Sequence, residues 1–387
     1  MKTNMINSGI GEILGAKGLD RDNAALRERI NSVTKEEVER ALETRAGIYS
    51  FEKLMALISP AGEDYIEQMA QMARQLTLQR FGRTVKLYAP LYVSNYCVNK
   101  CRYCGFNHGH HFERKRLGIE HALSEADIIA QEGFRDILLV SGEDRSFVTI
   151  DYLCELARRL REKFSYVSLE IHQLERDEYA KLFEAGIEGV TIYQETYDRE
   201  RYGYFHPSGP KADYERRLRG PEDICGAGMR EVGLGFLMGL KDFRVETLAM
   251  AEHASYLMKK YWQSHVSFSF PRIRPATEVE RGEFEHLVSD KQLVQMIVAL
   301  RLCFADAGCV LSTRESAKLR DNLIKIGITR TSAGSKTNVG GYGEGNNDGG
   351  QFEVNDGRSV GEVVEVIRKE GFEAVWKDWD RGFLEVD

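Results

Sequence analysis

One junction, repeated along this 387-residue chain, constrains its fold more than any other feature. In "QEGF", "EAGI", "GAGM", "DAGC" and "KEGF" a charged, helix-periodic stretch runs into a glycine (Gly133, Gly186, Gly228, Gly308, Gly371), and a β-rich run starts within a few residues. Glycine enters the left-handed conformation without the steric cost of a Cβ, so each is expected to close a helix at its C′ position. The β-rich runs are "VKLYAPLYVS", "DILLVSGE", "YVSLEIH", "VTIYQET", "EVGLGFLMG", "VSFSFPR", "CVLSTRE" and "GITRTSA". Strand and helix alternating about eight times implies an α/β fold on a parallel sheet, and eight units favour a closed (β/α)8 barrel of the TIM type over an open, doubly wound sheet.

The flanks read differently. Residues 1–80 are helical in pattern: Thr34 followed by Glu37 in "TKEEVERAL" is a capping box, and Ile66, Met69, Met72, Ala73 and Leu76 fall on one packing face. The barrel is expected over 81–335. Residues 336–387 are expected to form a Gly-rich loop and a C-terminal helix and tail closing the barrel, with the loop either a lid over the mouth or a mobile surface segment. "GSKT" lacks P-loop spacing, and "GLGFLMG" sits inside a strand, so neither is a nucleotide fingerprint. A formal net charge of -7 argues against nucleic-acid or anionic-membrane partners. No apolar run is long enough for a membrane span, and the start of the chain shows no secretory pattern. Seven cysteines in a chain of this length fit a reducing, cytoplasmic setting better than a disulfide framework.

The C-terminal ends of parallel barrel strands converge on one face, where barrel enzymes build their sites. The polar residues at those ends are Ser141, Gly142 and Glu143 after the second strand, Glu170 and His172 after the third, and Gln194 and Glu195 after the fourth. Arg272 and Arg274 follow the sixth, and Ser312, Thr313 and Arg314 the seventh. After the first comes "SNYCVNKCRYCGF", which spaces Cys97, Cys101 and Cys104 as C-x3-C-x2-C. Three readings fit these sulfurs. A structural zinc site would need His108, His110 or His111 as a fourth ligand. A redox dithiol of Cys101 and Cys104 would leave Cys97 without a role. An iron–sulfur cluster on three thiolates would keep one iron open.

C-x3-C-x2-C with Tyr103 before the last cysteine, at the end of the first barrel strand, resembles the radical S-adenosylmethionine enzymes. The resemblance implies a 4Fe-4S cluster on Cys97, Cys101 and Cys104, with the fourth iron chelating the amino and carboxylate groups of S-adenosylmethionine, and a cofactor loop that includes Tyr103. "SGE" is similar to that family's "GGE" turn, with Ser141 in place of the leading glycine, and implies that Ser141, Gly142 and Glu143 meet the methionine amino group. Glu170 is implied at the ribose, Arg217 in "DYERRL" at the methionine carboxylate, and Glu195 as a further polar contact.

A closer resemblance, from about residue 30 to 380, rests on "YVSNYCVNKCRYCGF", "LLVSGE", "YQETY", "VGLGFLMGL", "YWQSHVSFSFPRIRP", "LSTRES" and "VWKDWD". These resemble the 2-iminoacetate synthases, the tyrosine lyases of thiamin thiazole biosynthesis. The related tyrosine lyases of iron–iron hydrogenase maturation carry a second cysteine cluster in a C-terminal extension; no cysteine follows Cys309 here, which favours the thiazole type. The resemblance implies a flavodoxin- or ferredoxin-type electron donor, hydrogen abstraction from L-tyrosine, Cα–Cβ cleavage to p-cresol and 2-iminoacetate, and use of the imine by thiazole synthase. Arg274 and Arg314 are expected to fork the tyrosine carboxylate with Ser312 as a neutral donor, while Arg272 faces the other way. Glu195 and Arg314 are the expected catalytic pair, with Glu195 or His172 as general base and Tyr92, Tyr96 or Tyr193 at the phenol end. The competing readings are a zinc-binding protein and a non-catalytic subunit of a thiazole-forming complex.

Overall fold

The computed structural model describes residues 9–276, 278–279, 284–343 and 350–377. The middle of the Gly-rich loop (344–349) and the last residues (378–387), including the end of "VWKDWD", lie outside the described residues.

All eight expected strands are present: β1 Thr84–Ser94, β2 Asp136–Ser141, β3 Tyr166–Glu170, β4 Gly189–Glu195, β5 Glu231–Phe236, β6 His265–Ser269, β7 Gly308–Leu311 and β8 Arg330–Ser332. Each pairs in parallel with the next, and β1 pairs with both β2 and β8, so the sheet closes on itself. Helices between the strands lay their apolar stripes on the outside of the barrel. Ile150–Leu160 shows the pattern: Thr149 caps its N-terminus, and Leu153, Leu156, Ala157 and Leu160 are buried against the sheet.

The junction glycines explain how each helix hands over to a strand. Gly133, Gly186, Gly228 and Gly371 take φ of 104°, 105°, 90° and 79°, the left-handed values expected of a C′ cap. Gly308 differs. It is the first residue of β7, and a Cβ there would lie 2.9 Å from the Cβ of Ser267, so glycine serves close approach of β6 and β7 instead of capping. After Gly371 the chain adds a ninth strand, β9 Glu373–Val375, paired with the start of β1. Trp376 then packs edge-on against Phe134.

The N-terminal residues form five helices, Ile10–Lys17, Ala24–Asn31, Lys35–Glu43, Phe51–Ile58 and Ile66–Phe81. Thr34 and Glu37 make the reciprocal capping box. Met69, Ala73 and Leu76 are buried, with Ile66 and Met72 packed beside them. No described helix is long and apolar enough to cross a membrane.

The barrel's two ends are chemically unlike. At the N-terminal end, inward-facing Lys86, Asp136, Glu231 and Arg330 form an ionic layer. Arg330 reaches Asp136 at 2.8 Å and Glu231 at 3.4 Å, Lys86 reaches Asp136 at 3.3 Å, and the Tyr166 hydroxyl donates to Glu231 at 2.7 Å. In the middle, Gly233 and Gly235 of β5 leave room for Thr191 and Tyr193 of β4, which a Cβ would meet at 2.4 and 2.5 Å.

Over the C-terminal end passes the segment 350–358. Backbone bonds tie it to the barrel loops: Gly105 N–H donates to Gln351 O (3.3 Å), Glu353 N–H to Pro275 O (3.0 Å) and Asn355 N–H to Thr313 O (3.0 Å). Its side-chain anchor is Asp356, bonded to fully buried Arg320 and, at 2.7 Å, to Arg358. Removing one member of a buried ion pair strands the other charge, so Asp356→Ala is expected to cost about 3 kcal/mol, read as a lowered urea midpoint with an unchanged slope.

Candidate active site

The cysteine loop turns tightly, Cys104 N–H bonding Cys101 O at 3.3 Å, and from 97 to 103 its residues alternate between cavity and surface. Cys97, Asn99, Cys101 and Tyr103 turn inward to the cavity, joined by Cys104, while Val98, Lys100 and Arg102 are exposed on the other side. Burial pushes the Cys101 thiol up to about 12 and Cys104 to about 11, and the neighbouring sulfurs add to both shifts. Burial thus disfavours the thiolate forms of Cys101 and Cys104, a penalty that a bound cation would offset. The nearby histidines do not supply a fourth ligand. His108 Nδ1 pairs with Cys97 O at 3.0 Å and His110 Nδ1 with Gly105 O at 3.3 Å, and none of His108, His110 and His111 lines the cavity. A ligand set of three sulfurs on one loop fits a cluster with an open iron better than a closed zinc site.

The turn after β2 presses directly on this loop. A Cβ on Gly142 would lie 2.2 Å from Tyr96 O, so only glycine lets the two backbones meet. Glu143 accepts from Asn99 Nδ2 at 2.7 Å, and Asn99 Oδ1 accepts the Lys211 N–H at 3.0 Å. Lys211 Nζ then donates to Glu195 at 2.6 Å, with Arg217 at 4.0 Å from the same oxygen. Burial pushes Glu195 up, but the charges of Lys211 and Arg217 outweigh it and hold the carboxyl below its usual range. Glu195 has φ 68°, at a register shift between β4 and β5. A non-glycine residue held left-handed stores strain, which the surroundings must enforce. The next two residues show how. Glu246, buried in the helix Phe243–Lys260, accepts from Thr196 Oγ1 and from Tyr197 N–H, both at 2.8 Å.

The opposite wall comes from β3, β6 and β7. Tyr193 donates to Glu170 at 3.1 Å, and burial raises the Glu170 carboxyl. Burial lowers His172 to about 4, so its ring is neutral at pH 7. Arg274 donates to buried Glu315 at 2.8 Å, and Arg314 lies 3.3 Å over the Phe352 ring. Arg272 lies outside the cavity lining, paired with Asp290 and with the same Glu315 that holds Arg274; both arginines follow the end of β6 at Ser269, so strand alternation does not set them apart. The cavity encloses about 990 Å³ including its open mouth. Among the described residues, Ser141 Oγ, Glu143 Oε1, His172 Nδ1 and Arg274 Nε are buried polar atoms with no hydrogen-bond partner, and all four belong to residues lining this cavity. Each costs about 1–3 kcal/mol if left so, and a polar ligand with several donors and acceptors would satisfy them together.

The structure thus brings Cys97, Cys101, Cys104, Tyr103, Ser141, Gly142, Glu143, Glu170, Glu195, Arg217, Arg274 and Arg314 to one cavity. It does not bring Ser312 there: β7 ends at Leu311, and the Ser312 hydroxyl turns back to accept the Arg314 N–H at 3.4 Å. Of the tyrosines, Tyr193 lines the cavity, Tyr92 is one layer out and donates to Gln351, and Tyr96 lies under Arg116.

Comparison with known proteins agrees with this geometry. Residues 91–254 match the radical SAM superfamily, and residues 269–373 match the Biotin and Thiamin Synthesis associated domain. The chain is 43% identical to the 2-iminoacetate synthase of Escherichia coli strain K12, over 94% of this chain and 95% of that protein. It is 43% identical to the Salmonella typhimurium 2-iminoacetate synthase over 92% of this chain and 93% of that protein. The chain belongs to the 2-iminoacetate synthase family. Solved structures place the family fold beyond doubt: the FeFe-hydrogenase maturase HydG from Carboxydothermus hydrogenoformans superposes with a TM-score of 0.87 at 30% identity, over 96% of this chain and 86% of that one. Methylornithine synthase shares the fold alone, with a TM-score of 0.63 at 20% identity over 91% of this chain and 97% of that one.

Several residues of this family member's cavity escaped the sequence reading. Lys211 and Asn99 carry ordinary loop signals, and Gln351 and Phe352 come from a segment remote from any strand end. Glu246 looks like one more acid in the first turn of a helix. Two expectations follow. Gly142→Ala should lose most of the iron and sulfide taken up on anaerobic reconstitution while keeping its circular dichroism, because the clash falls on the cysteine loop and not on the barrel. Burial raises Glu246 from 4.5 to about 8, so its neutral form is the one the fold favours. The stability this confers is complete below about pH 4.5 and is lost as pH rises through about 8. Urea titrations of wild type and Glu246→Gln between these pH values should show a falling midpoint that the variant lacks.

Proposed function

We propose that this chain is a radical S-adenosylmethionine lyase that cleaves the Cα–Cβ bond of L-tyrosine, giving 2-iminoacetate and p-cresol with release of 5′-deoxyadenosine and methionine. The observation that carries this reading is the 43% identity to 2-iminoacetate synthase across 94% of the chain. When bound, the cluster and S-adenosylmethionine supply one-electron chemistry that yields a hydrogen-abstracting 5′-deoxyadenosyl radical.

The protein's own residues then have these roles. Cys97, Cys101 and Cys104 hold the cluster, and Tyr103 covers it. Ser141, Gly142 and Glu143 meet the methionine amino group, with Glu143 oriented by Asn99. Arg217 and Lys211 face its carboxylate across Glu195, and Glu170 receives the ribose. Arg274 and Arg314 fork the tyrosine carboxylate, each already braced, Arg274 by Glu315 and Arg314 by Phe352. Between the two candidate bases, His172 suits proton acceptance better. It is neutral with Nδ1 unpartnered, whereas Glu195 is ionised and committed to Lys211. Gln351 and Phe352 roof the cavity against water. The 2-iminoacetate hydrolyses in water, which supports direct transfer to thiazole synthase.

Anaerobic reconstitution followed by S-adenosylmethionine, reductant and tyrosine should give p-cresol, and Cys101→Ala should abolish both the cluster and 5′-deoxyadenosine. Production of 5′-deoxyadenosine without p-cresol would show the substrate to be wrong. Stoichiometric zinc without sulfide would overturn the cluster itself.

A further inference from the structure

One cation beside the cysteine loop has no anion to match it. Arg114 follows the loop, in a segment that runs antiparallel beside the end of β1: Asn95 N–H donates to Lys115 O at 3.2 Å, Leu117 N–H to Val93 O at 2.9 Å, and Ser94 bridges Arg116. The buried Asn95 side chain fastens the same backbone on both sides of residue 114, donating to Glu113 O at 3.1 Å and accepting the Lys115 N–H at 2.6 Å. The guanidinium so held reaches four carbonyls of the loop. Nη1 donates to Asn95 O at 2.6 Å and Phe106 O at 2.9 Å, and Nη2 to Asn107 O at 2.6 Å and His110 O at 3.4 Å. Asn95 precedes Cys97 and the other three follow Cys104, so one planar group spans both ends of the cysteine-bearing stretch. Phe112 packs on its face at 4.0 Å. Among the described residues no carboxylate pairs with Arg114, whereas its neighbours Lys115 and Arg116 reach Glu113 at 3.8 Å and Asp144 at 2.7 Å. Burial draws the Arg114 guanidinium down from its usual range, and the charges of Cys97 and Cys104 oppose that fall, so both sulfurs lie within its electrostatic reach.

We propose that Arg114 is a positioning residue of the cluster site: its guanidinium clasps the two ends of the cysteine loop and keeps an uncompensated positive charge beside the sulfurs. The proposal rests on Cys97, Cys101 and Cys104 holding the cluster, as above. The two halves of the role draw on different properties. The clasp needs a planar fork, because a single ammonium cannot reach carbonyls at both ends in fixed directions. The charge needs only a cation. When one electron enters the cluster no bond is made or broken, and the site gains one negative charge. A fixed cation nearby favours that reduced state over the oxidised one. An acidic partner for Arg114 would cancel this effect, and backbone carbonyls satisfy its donors without doing so.

Hydrogen exchange of the metal-free full chain tests the clasp, and a redox measurement on the reconstituted full chain tests the charge, in wild type, Arg114→Lys and Arg114→Gln. The reporter amides are Asn107, His108 and His110, which donate to Cys104 O, Asn99 O and Asn107 O. Their exchange is expected to quicken about tenfold in both variants while the amides of β2 and β3 keep wild-type rates. After anaerobic reconstitution with iron and sulfide, the reduced cluster is counted by electron paramagnetic resonance at one dithionite-set potential. The ratio of reduced to oxidised cluster is expected to fall about tenfold in Arg114→Gln and to stay within about twofold of wild type in Arg114→Lys. Wild-type exchange at the three amides in both variants overturns the clasp. So does equal acceleration throughout the barrel, which would make Arg114 a general support of the fold. An unchanged ratio in Arg114→Gln overturns the charge, as does an equal fall in both variants. Wild type that takes up no sulfide sinks the cluster reading and the charge with it, and the exchange arm then decides the clasp on its own.

Discussion

Three sulfurs gathered on one loop at a cavity wall, with burial disfavouring the thiolates of Cys101 and Cys104, call for a cation to sit among them. The surrounding structure is organised around that demand. The loop has no helix or strand of its own to hold it, so neighbours fix it: the Gly142 turn from below, residues 205 and 208 from the side, and Gln351 from above. Asn99, between the first two cysteines, is bonded to both Glu143 and Lys211. The cysteine loop and the Glu143 carboxylate are therefore held by the same contacts.

The closed barrel makes this possible by separating its two ends. Its lower end is filled by ion pairs made within the protein, with Arg330 serving both Asp136 and Glu231. Its upper end keeps polar atoms that the protein leaves unpaired. Buried polar groups are ordinarily satisfied; unpaired atoms occur elsewhere too, Arg330 Nε among them, but the four here line a cavity that a polar ligand can enter. The strain at Glu195 belongs to the same logic. A left-handed glutamate is tolerated because Glu246 pins the two residues after it and Lys211 pins its carboxylate.

The barrel was legible because its signals are local: β-rich runs, charged helices and capping glycines repeat within a few residues of each other. The strand-end rule found most of the cavity, because parallel strands bring the same end of each to one mouth; it gave no ground for separating Arg272 from Arg274, which both follow β6 and both bond Glu315. It failed where local geometry departs from a straight strand. Ser312 follows a strand of only four residues and enters a local turn, its hydroxyl accepting the Arg314 N–H. Gly308 reads like the other junction glycines, yet it serves packing between strands, a fact set by Ser267 some forty residues away. Lys211, Asn99 and Glu246 were illegible because each acts through a partner distant in sequence, and nothing in their own neighbourhood distinguishes them from surface residues.

The roof shows the furthest reach of such distant contacts. Tyr92 and Gln351 are 259 residues apart in sequence and joined by a 2.9 Å hydrogen bond. The same segment brings Phe352 against Arg314 and is locked by Asp356 onto Arg320. Contacts of this separation form only once the chain between them is ordered. The same segment thus supplies both the cavity's shield and the brace on its arginine. A radical reaction must not begin in an open site, and this topology makes shielding a consequence of complete folding instead of a separate step.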